Sequence, residues 1–496
     1  MNSGLSIDAI ATRLSGRSAN WRRTVGYICL AVVIGVIVGV AIAWLPTMLA
    51  LALVPAALLA WWITLRPEIG LLILMAITGG LINYDDLPYL SLGPISLHVT
   101  DILLLYLLGV ALIRLLVQRD FKYVSTRLDA PLVAFYILAM LSVVTAIVQF
   151  HVAPNIAIRE FRIVTYWLAF WPVTQLIRTP RQLKTLFNGL VVLAVVMTIF
   201  VTLQMVVPSL PLVRVSSETL VTAGRESAGV SRVWITGERL IYVMLIVAMC
   251  VALLTQSTRT RRIFGLVAIC LLVWLFLSFQ RNYWFTTAVA LVILGLMVKW
   301  SDRLRALRWG IFAALAIIIV LSIPGNPLLP WAQAAVDRAT SVQASTLAYD
   351  TSAILRETEI EYGLRKVAEY PVFGVGIGND YRPWIRRFDY FPGAVTDHGL
   401  VWYCHNAYLW IWVKMGTPAL ICFLWLCGTF VYRGLRNWQR LPDTHWRAVT
   451  LGFTLAFIGQ MLSNLVAPNF IQNWVLVVFP MTMAINELQF KWHHVN

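Results

Sequence analysis

Two sets of residues in this chain have the types and spacing to do chemistry. The first is His405-Asn406, followed after nine residues by Gly416 and then by Pro418. An apolar run begins directly after the pair, so His405 is expected at the N-terminus of a helix that breaks about three turns later. The helix dipole there favours neutral imidazole, the form that takes a proton from an attacking hydroxyl. The second set is cationic: Arg159, Arg162, Arg232, Arg239, Arg281 and Arg356. Guanidinium groups grip phosphate oxygens in bidentate fashion, so such a set suits an anion such as a pyrophosphate. Each residue also has an ordinary reading. A polar residue at a helix start caps it, and an arginine at a helix end lays its stem along apolar surface with its head in the polar layer.

The elements that must position these residues are helices in a membrane. Of the 496 residues 59% are hydrophobic and only 12% charged, about half the charge of an ordinary soluble domain. Apolar runs long enough to cross a hydrocarbon core recur along the whole chain, and backbone in lipid must bond internally, which selects helices. Short alternating segments of the β-barrel kind are absent. The predicted fold is an all-α polytopic membrane protein of about fourteen (twelve to fourteen) transmembrane helices. They are placed near 24–45, 46–65, 69–84, 100–117, 130–150, 163–178, 185–207, 237–255, 263–279, 283–299, 308–323, 407–433, 447–466 and 473–489. The expected organisation is a tail at 1–23, helices over 24–323, one large loop at 324–404, helices over 405–489, and a tail at 490–496. The large loop is expected to contain helical stretches at Trp331–Val342 and Ile354–Ala368, and a second polar loop is expected near 208–236.

The net charge of +16 is not a nucleic-acid signature, because most Lys and Arg fall in short loops between apolar spans. With the N-terminus inside, the inside segments hold 24 of the 39 basic residues and 7 of the 23 acidic ones. That asymmetry sets the orientation: both termini are cytoplasmic, and His405 and the six arginines face the other compartment. Arginines on that side run against the rule, which is why they are informative. The six cysteines form no CxxC pair and all but Cys404 lie in apolar spans, so neither a metal cage nor a disulfide framework is expected.

Three other features carry less. Gly374-Val375-Gly376-Ile377-Gly378 lacks the Rossmann spacing and a following βαβ unit, and reads as a tight turn shaping the loop. Asp101 in His98-Val99-Thr100-Asp101 reads as a helix cap. Lys414, inside the apolar run after His405, either snorkels or reaches a phosphate.

His405-Asn406-x9-Gly416 resembles the His-Asn/Ser/Gln-x9-Gly signature of the bacterial O-antigen ligase and polymerase family. The signature usually continues x-x-Gly/Thr/Tyr, where this chain has Ala419. Arg356-x3-Ile360 is similar to the family's Arg-x3-Leu motif. Pro371-Val372-Phe373-Gly374-Val375-Gly376-Ile377-Gly378 resembles its glycine-rich stretch, and Ser278-Phe279-Gln280-Arg281 resembles its Ser-x-x-Arg. The likeness spans about residues 66–489. It implies a GT-C-like helical glycosyltransferase of the bacterial inner membrane, working at the periplasmic face without metal or other cofactor. The donor would be a glycan on undecaprenyl pyrophosphate, and the acceptor a hydroxyl on a glycan or lipid. On this reading His405 is the base and Arg281 the foremost pyrophosphate-stabilising residue, with Arg159, Arg162, Arg232, Arg239 and Arg356 behind it. Asn406, Gly416, Gly374 and Gly376 shape the site. Membrane lipids are the surroundings, and no nucleic acid is involved. Two other classes compete: a transporter or flippase of the lipid-linked sugar, and a non-catalytic scaffold of a polysaccharide assembly complex. A transporter would place charges near helix centres in two related halves, which this sequence does not do.

Overall fold

The computed structural model describes residues 47–82, 87–92, 95–207, 215–222, 225–323, 326, 329–340, 351–383, 401–471 and 476–495. The expected tail at 1–23, the helix at 24–45 and Cys29 lie outside the described residues. The chain divides into two compact units at Arg66 and Pro67. The first contributes α1 (Thr47–Leu65), close to the helix expected at 46–65.

The second unit begins with α2 (Pro67–Thr78), the hairpin β1 (Tyr89–Leu92) and β2 (Ile95–His98), α3 (Val99–Val117), α4 (Asp129–Val148) and α5 (Pro154–Thr165). A 3-10 turn (Tyr166–Ala169) joins α5 to α6 (Phe170–Leu176), followed by α7 (Pro180–Val206) and the hairpin β3 (Val215–Thr222) and β4 (Arg225–Ile235). Then come α8 (Glu238–Leu254), α9 (Thr258–Leu277), α10 (Arg281–Met297), α11 (Trp300–Leu321), α12 (Leu329–Thr340) and α13 (Thr351–Glu369). The last helices are α14 (Ala407–Asn437), α15 (Thr444–Ser463) and α16 (Val478–Trp492). Several starts show why the chain enters helix where it does. Thr179 Oγ1 accepts the Gln182 amide, Gln182 Oε1 accepts the Thr179 amide, and Pro180 fills the first helical position. Asn406 and Asp443 cap α14 and α15 through their side-chain oxygens.

Five helices among the described residues are long and apolar enough to cross a membrane: Val99–Val117, Asp129–Val148, Pro180–Met205, Thr258–Leu277 and the long helix from Ala407. The expected figure of about fourteen rests on the sequence pattern alone. Part of the difference has a physical reason. Helices α8, α15 and α16 are enclosed by protein on nearly every side. A helix with protein neighbours can be short and can carry Thr454, Asn486 and Glu487 buried, since those groups find partners there. The enclosed helices approach closely through small residues. A Cβ on Gly452 would stand 2.7 Å from Val247 Cα, and one on Gly459 would meet the Tyr242 hydroxyl at 2.0 Å.

Two local expectations are corrected. The polar loop expected near 208–236 contains the antiparallel β3–β4 ribbon, paired from Val215↔Ile235 to Thr222↔Arg225 with an irregularity between Thr219 and Val221. Val, Thr and Ile recur through it and favour extended backbone, a signal that a search for long apolar runs passes over. The helix expected at 163–178 begins earlier, at Pro154. Its first half is amphipathic and buries Ala157, Glu160, Ile163 and Val164. Charged Arg159, Glu160 and Arg162 depress the hydropathy there and hide the helix.

Candidate active site

His405 stands immediately before α14, as its spacing predicted, and Asn406 closes the helix start by accepting the amides of Tyr408 and Leu409, each at 3.0 Å. The histidine does not act alone. Glu359, on α13, takes its ring Nδ1 at 2.9 Å and 3.1 Å through its two oxygens, and accepts the His405 backbone amide at 2.8 Å. A carboxylate at this position accepts, so Nδ1 carries the proton and Nε2 presents its lone pair. The Glu359 side chain is 2% exposed while that of His405 is 29% exposed, so the orienting group is buried and the imidazole is partly accessible. The helix terminus alone opposes positive charge on the ring; the buried carboxylate stabilises that charge as it forms. Tyr403 meets the imidazole edge-on, with ring centroids 5.1 Å apart.

Glu359 was not among the residues singled out from the sequence. The signal was present: Arg356, Glu359 and Gly363 fall at i, i+3 and i+7, one face of α13. Gly363 lets that face cross the first turn of α14, because a Cβ there would stand 2.9 Å from Leu409. Arg356 donates from Nε to the Val466 carbonyl at 3.1 Å.

The segment from Gln460 to Phe470 gathers the rest. Arg239, 3% exposed, donates to Asn469 Oδ1 at 3.0 Å, and Asn469 in turn donates to Gln460 and Ser463. Asn282, next to Arg281, donates to Ser463 Oγ at 2.8 Å. The Ala407 amide donates to the Asn464 carbonyl at 3.0 Å. Through this one turn the structure brings the helix starts that carry Arg239, Arg281 and His405 to the same end of the bundle as Arg356. The Ser278–Arg281 connection is shaped by Phe279, which holds a left-handed φ of +47°. Such a conformation costs a non-glycine residue about 1–2 kcal/mol. The buried Phe279 ring packs on Trp284 and Trp331, which offsets that cost. Beside it the buried Glu238 accepts from Gln280 and Tyr283, at 2.7 Å and 3.1 Å.

The remaining arginines are placed differently. Arg162 is engaged by Asp101 at 3.4 Å and by the Ser96 carbonyl at 2.6 Å, tying α5 to α3 and β2. Asp101 also accepts the His98 amide at 3.0 Å, the cap expected of it. Arg159 is exposed on α5 at the wall of a cavity of about 500 Å3. Arg232 stands on β4 opposite Glu218, and its side chain lies outside the described residues, as does Arg214 altogether.

The glycine-rich stretch is a backbone insert. Val375 and Gly376 donate their amides to the carbonyls of Val413 and Lys414, and Thr417 donates to Pro371. These carbonyls are available because α14 breaks at Gly416, with φ 81° and ψ 177°. Every glycine there is required by contact: a Cβ would stand 1.9 Å from Val372 O at Gly416, 2.4 Å from Val413 O at Gly374, and 2.6 Å from Ala146 at Gly376. Lys414 neither snorkels nor reaches outward. It is fully buried, pairs with Glu160 at 3.3 Å and donates to the Asn379 carbonyl. The insert and the ion pair together lock the half-helix that presents His405.

No curated protein matches the chain. Residues 266–424 match the family model described as O-antigen ligase, a span that holds Arg281, Arg356, Glu359, the glycine-rich insert, His405 and Gly416. The segment from 266 to 424 is therefore similar to the O-antigen ligase family, within a chain whose long apolar helices mark a membrane protein.

Proposed function

We propose that the protein transfers a glycan from undecaprenyl pyrophosphate to an acceptor hydroxyl at the periplasmic face of the inner membrane, as a ligase or polymerase of surface polysaccharide. The observation that carries this reading is the His405–Glu359 dyad, with its partly exposed imidazole, at the same end of the bundle as Arg239, Arg281 and Arg356. In the step, the acceptor O–H gives its proton to His405 Nε2 while the oxygen's electron pair forms a bond to the anomeric carbon. The bond from that carbon to the pyrophosphate oxygen breaks, and lipid pyrophosphate leaves with its electron pair. Glu359 holds the imidazolium that results, and the guanidinium groups stabilise the charge gathering on the leaving group. Arg159 and Arg232 are secondary members of the cationic set. Arg162, already engaged by Asp101, serves to hold α5.

The test is a reconstituted assay with purified protein and lipid-linked glycan. His405→Ala is expected to lower turnover by about 10²–10⁴-fold, the usual contribution of a general base, while donor binding survives. Full turnover in that variant removes the assignment. Absence of any transfer by the wild-type protein, with transmembrane movement of the lipid-linked glycan instead, replaces the transferase reading with a transporter.

A further inference from the structure

A cavity of about 500 Å3 lies on the Trp410 side of α14, lined by Phe150, Arg159, Glu160, Asn379, Asp380 and Trp402 among others. Its size suits a small ligand or one or two sugar rings. Its chemistry is mixed in a particular way. Two indole or phenyl faces stand beside two carboxylates, an amide and one guanidinium, a set able to stack on C–H faces and to bond hydroxyls in both directions. Glu160 is part of the wall. Its Oε1 accepts from Trp410 at 3.2 Å and pairs with Lys414, and the Gly378 backbone also hydrogen-bonds the carboxylate, so Glu160 closes the floor of the cavity.

The position is as informative as the lining. Trp402 packs edge-on against Tyr403, which meets His405 in turn, so two ring contacts link a wall of the cavity to the histidine. On α14, Trp410 points to Glu160 and Tyr408 points to Met461 in the turn that gathers the arginines. Two residues apart on a helix means roughly 200° of rotation, so the cavity and the arginine-bearing turn flank opposite faces of the half-helix. A direct displacement sets the attacking oxygen and the leaving pyrophosphate on opposite sides of the anomeric carbon. Carboxylates in the cavity also disfavour a pyrophosphate there.

We propose that this cavity is the binding subsite for a sugar ring of the acceptor, with Trp402 as the stacking platform and Asp380 and Asn379 as the groups that bond its hydroxyls. The proposal rests on the transferase reading, and its test can fail separately. The probe is the oligosaccharide released by mild acid from the expressing cell's own surface glycan, added to the protein in lipid nanodiscs. Saturation-transfer NMR is expected to show ring protons saturated by the wild-type protein and equally by His405→Ala. Ile156→Trp, which fills the cavity from an exposed position at its wall, should abolish the effect. Asp380→Asn, at an exposed position of the wall, replaces an acceptor oxygen by a donor; it should weaken the effect at least about fivefold in protein with an unchanged melting temperature. In turnover, Ile156→Trp should raise the acceptor KM by about tenfold and leave the donor KM within about twofold. A rise in donor KM alone reassigns the cavity to the donor glycan and overturns the proposal. Unchanged saturation in Ile156→Trp overturns it as well, leaving a structural void. Full activity of His405→Ala, with saturation still lost in Ile156→Trp, sinks the base assignment and spares the subsite.

Discussion

The working unit at the residue scale is a pair. Glu359 binds both the ring and the backbone amide of His405, so it sets rotamer and tautomer together. Glu359→Gln keeps the volume and removes the charge that holds imidazolium. Turnover should fall by roughly 10²-fold or more with donor KM unchanged. Because Glu359 acts through His405, the double variant Glu359→Gln/His405→Ala should be no slower than His405→Ala alone; additive losses would separate the two residues. Among the arginines, Arg281 stands at the first position of α10, right after the strained Phe279 turn, and is held by neighbours on a short connection. Little ordering is left to be lost on ligand binding there. Arg281→Lys should therefore fail to restore activity to the level of the native side chain, since ammonium lacks the planar fork, and near-normal turnover would refute the bidentate contact. The sequence revealed one member of the dyad and not the other. His405 announced itself because a polar pair interrupts an apolar run. Glu359 sits in a helix rich in charge, where one carboxylate resembles the next until its buried partner is known.

At the scale of elements, the helix boundaries were largely legible, because apolar length and cap residues are local. The helix expected at 447–466 is seen at Thr444–Ser463, and that at 283–299 at Arg281–Met297. What local reading missed depends on distant partners: the extended ribbon at β3–β4, the early start of α5, and the role of the glycines. The insert at 371–379 is a turn, as its glycines suggested; what local reading missed is that its amides bond to the break in α14. Gly416 is the decisive position, combining φ of +81° with a Cβ site 1.9 Å from Val372 O. Gly416→Ala should cost roughly 2–5 kcal/mol, from the left-handed backbone and the forced repacking together. Thermal unfolding in detergent checks this, and a melting point equal to wild type would show that the insert can move aside. The loss should exceed that of Gly428→Ala on the same helix, where a Cβ meets nothing within 4 Å.

For the whole molecule, the charge asymmetry predicts that the segments at 118–129, 256–262, 300–307 and 434–446, expected as loops and partly helical in the structure, are cytoplasmic. Single cysteines placed in the 324–404 loop should react with an impermeant maleimide in intact spheroplasts, and one placed in 434–446 should not. The reverse pattern would invert the topology. Native Cys404 should add little background, since burial pushes its thiol up to about 12 and leaves it protonated at neutral pH. The turn from Gln460 to Phe470, which anchors Arg239, Asn282, Arg356 and Ala407, also has a bearing on biosynthesis. It emerges from the ribosome after every residue it secures, so this end of the bundle is completed only once that turn has been made. The segment from 266 to 424 carries the histidine, its carboxylate and the glycine insert, yet none of this keystone. Grafted elsewhere or expressed by itself, it would be a set of reactive groups without the masonry that aims them.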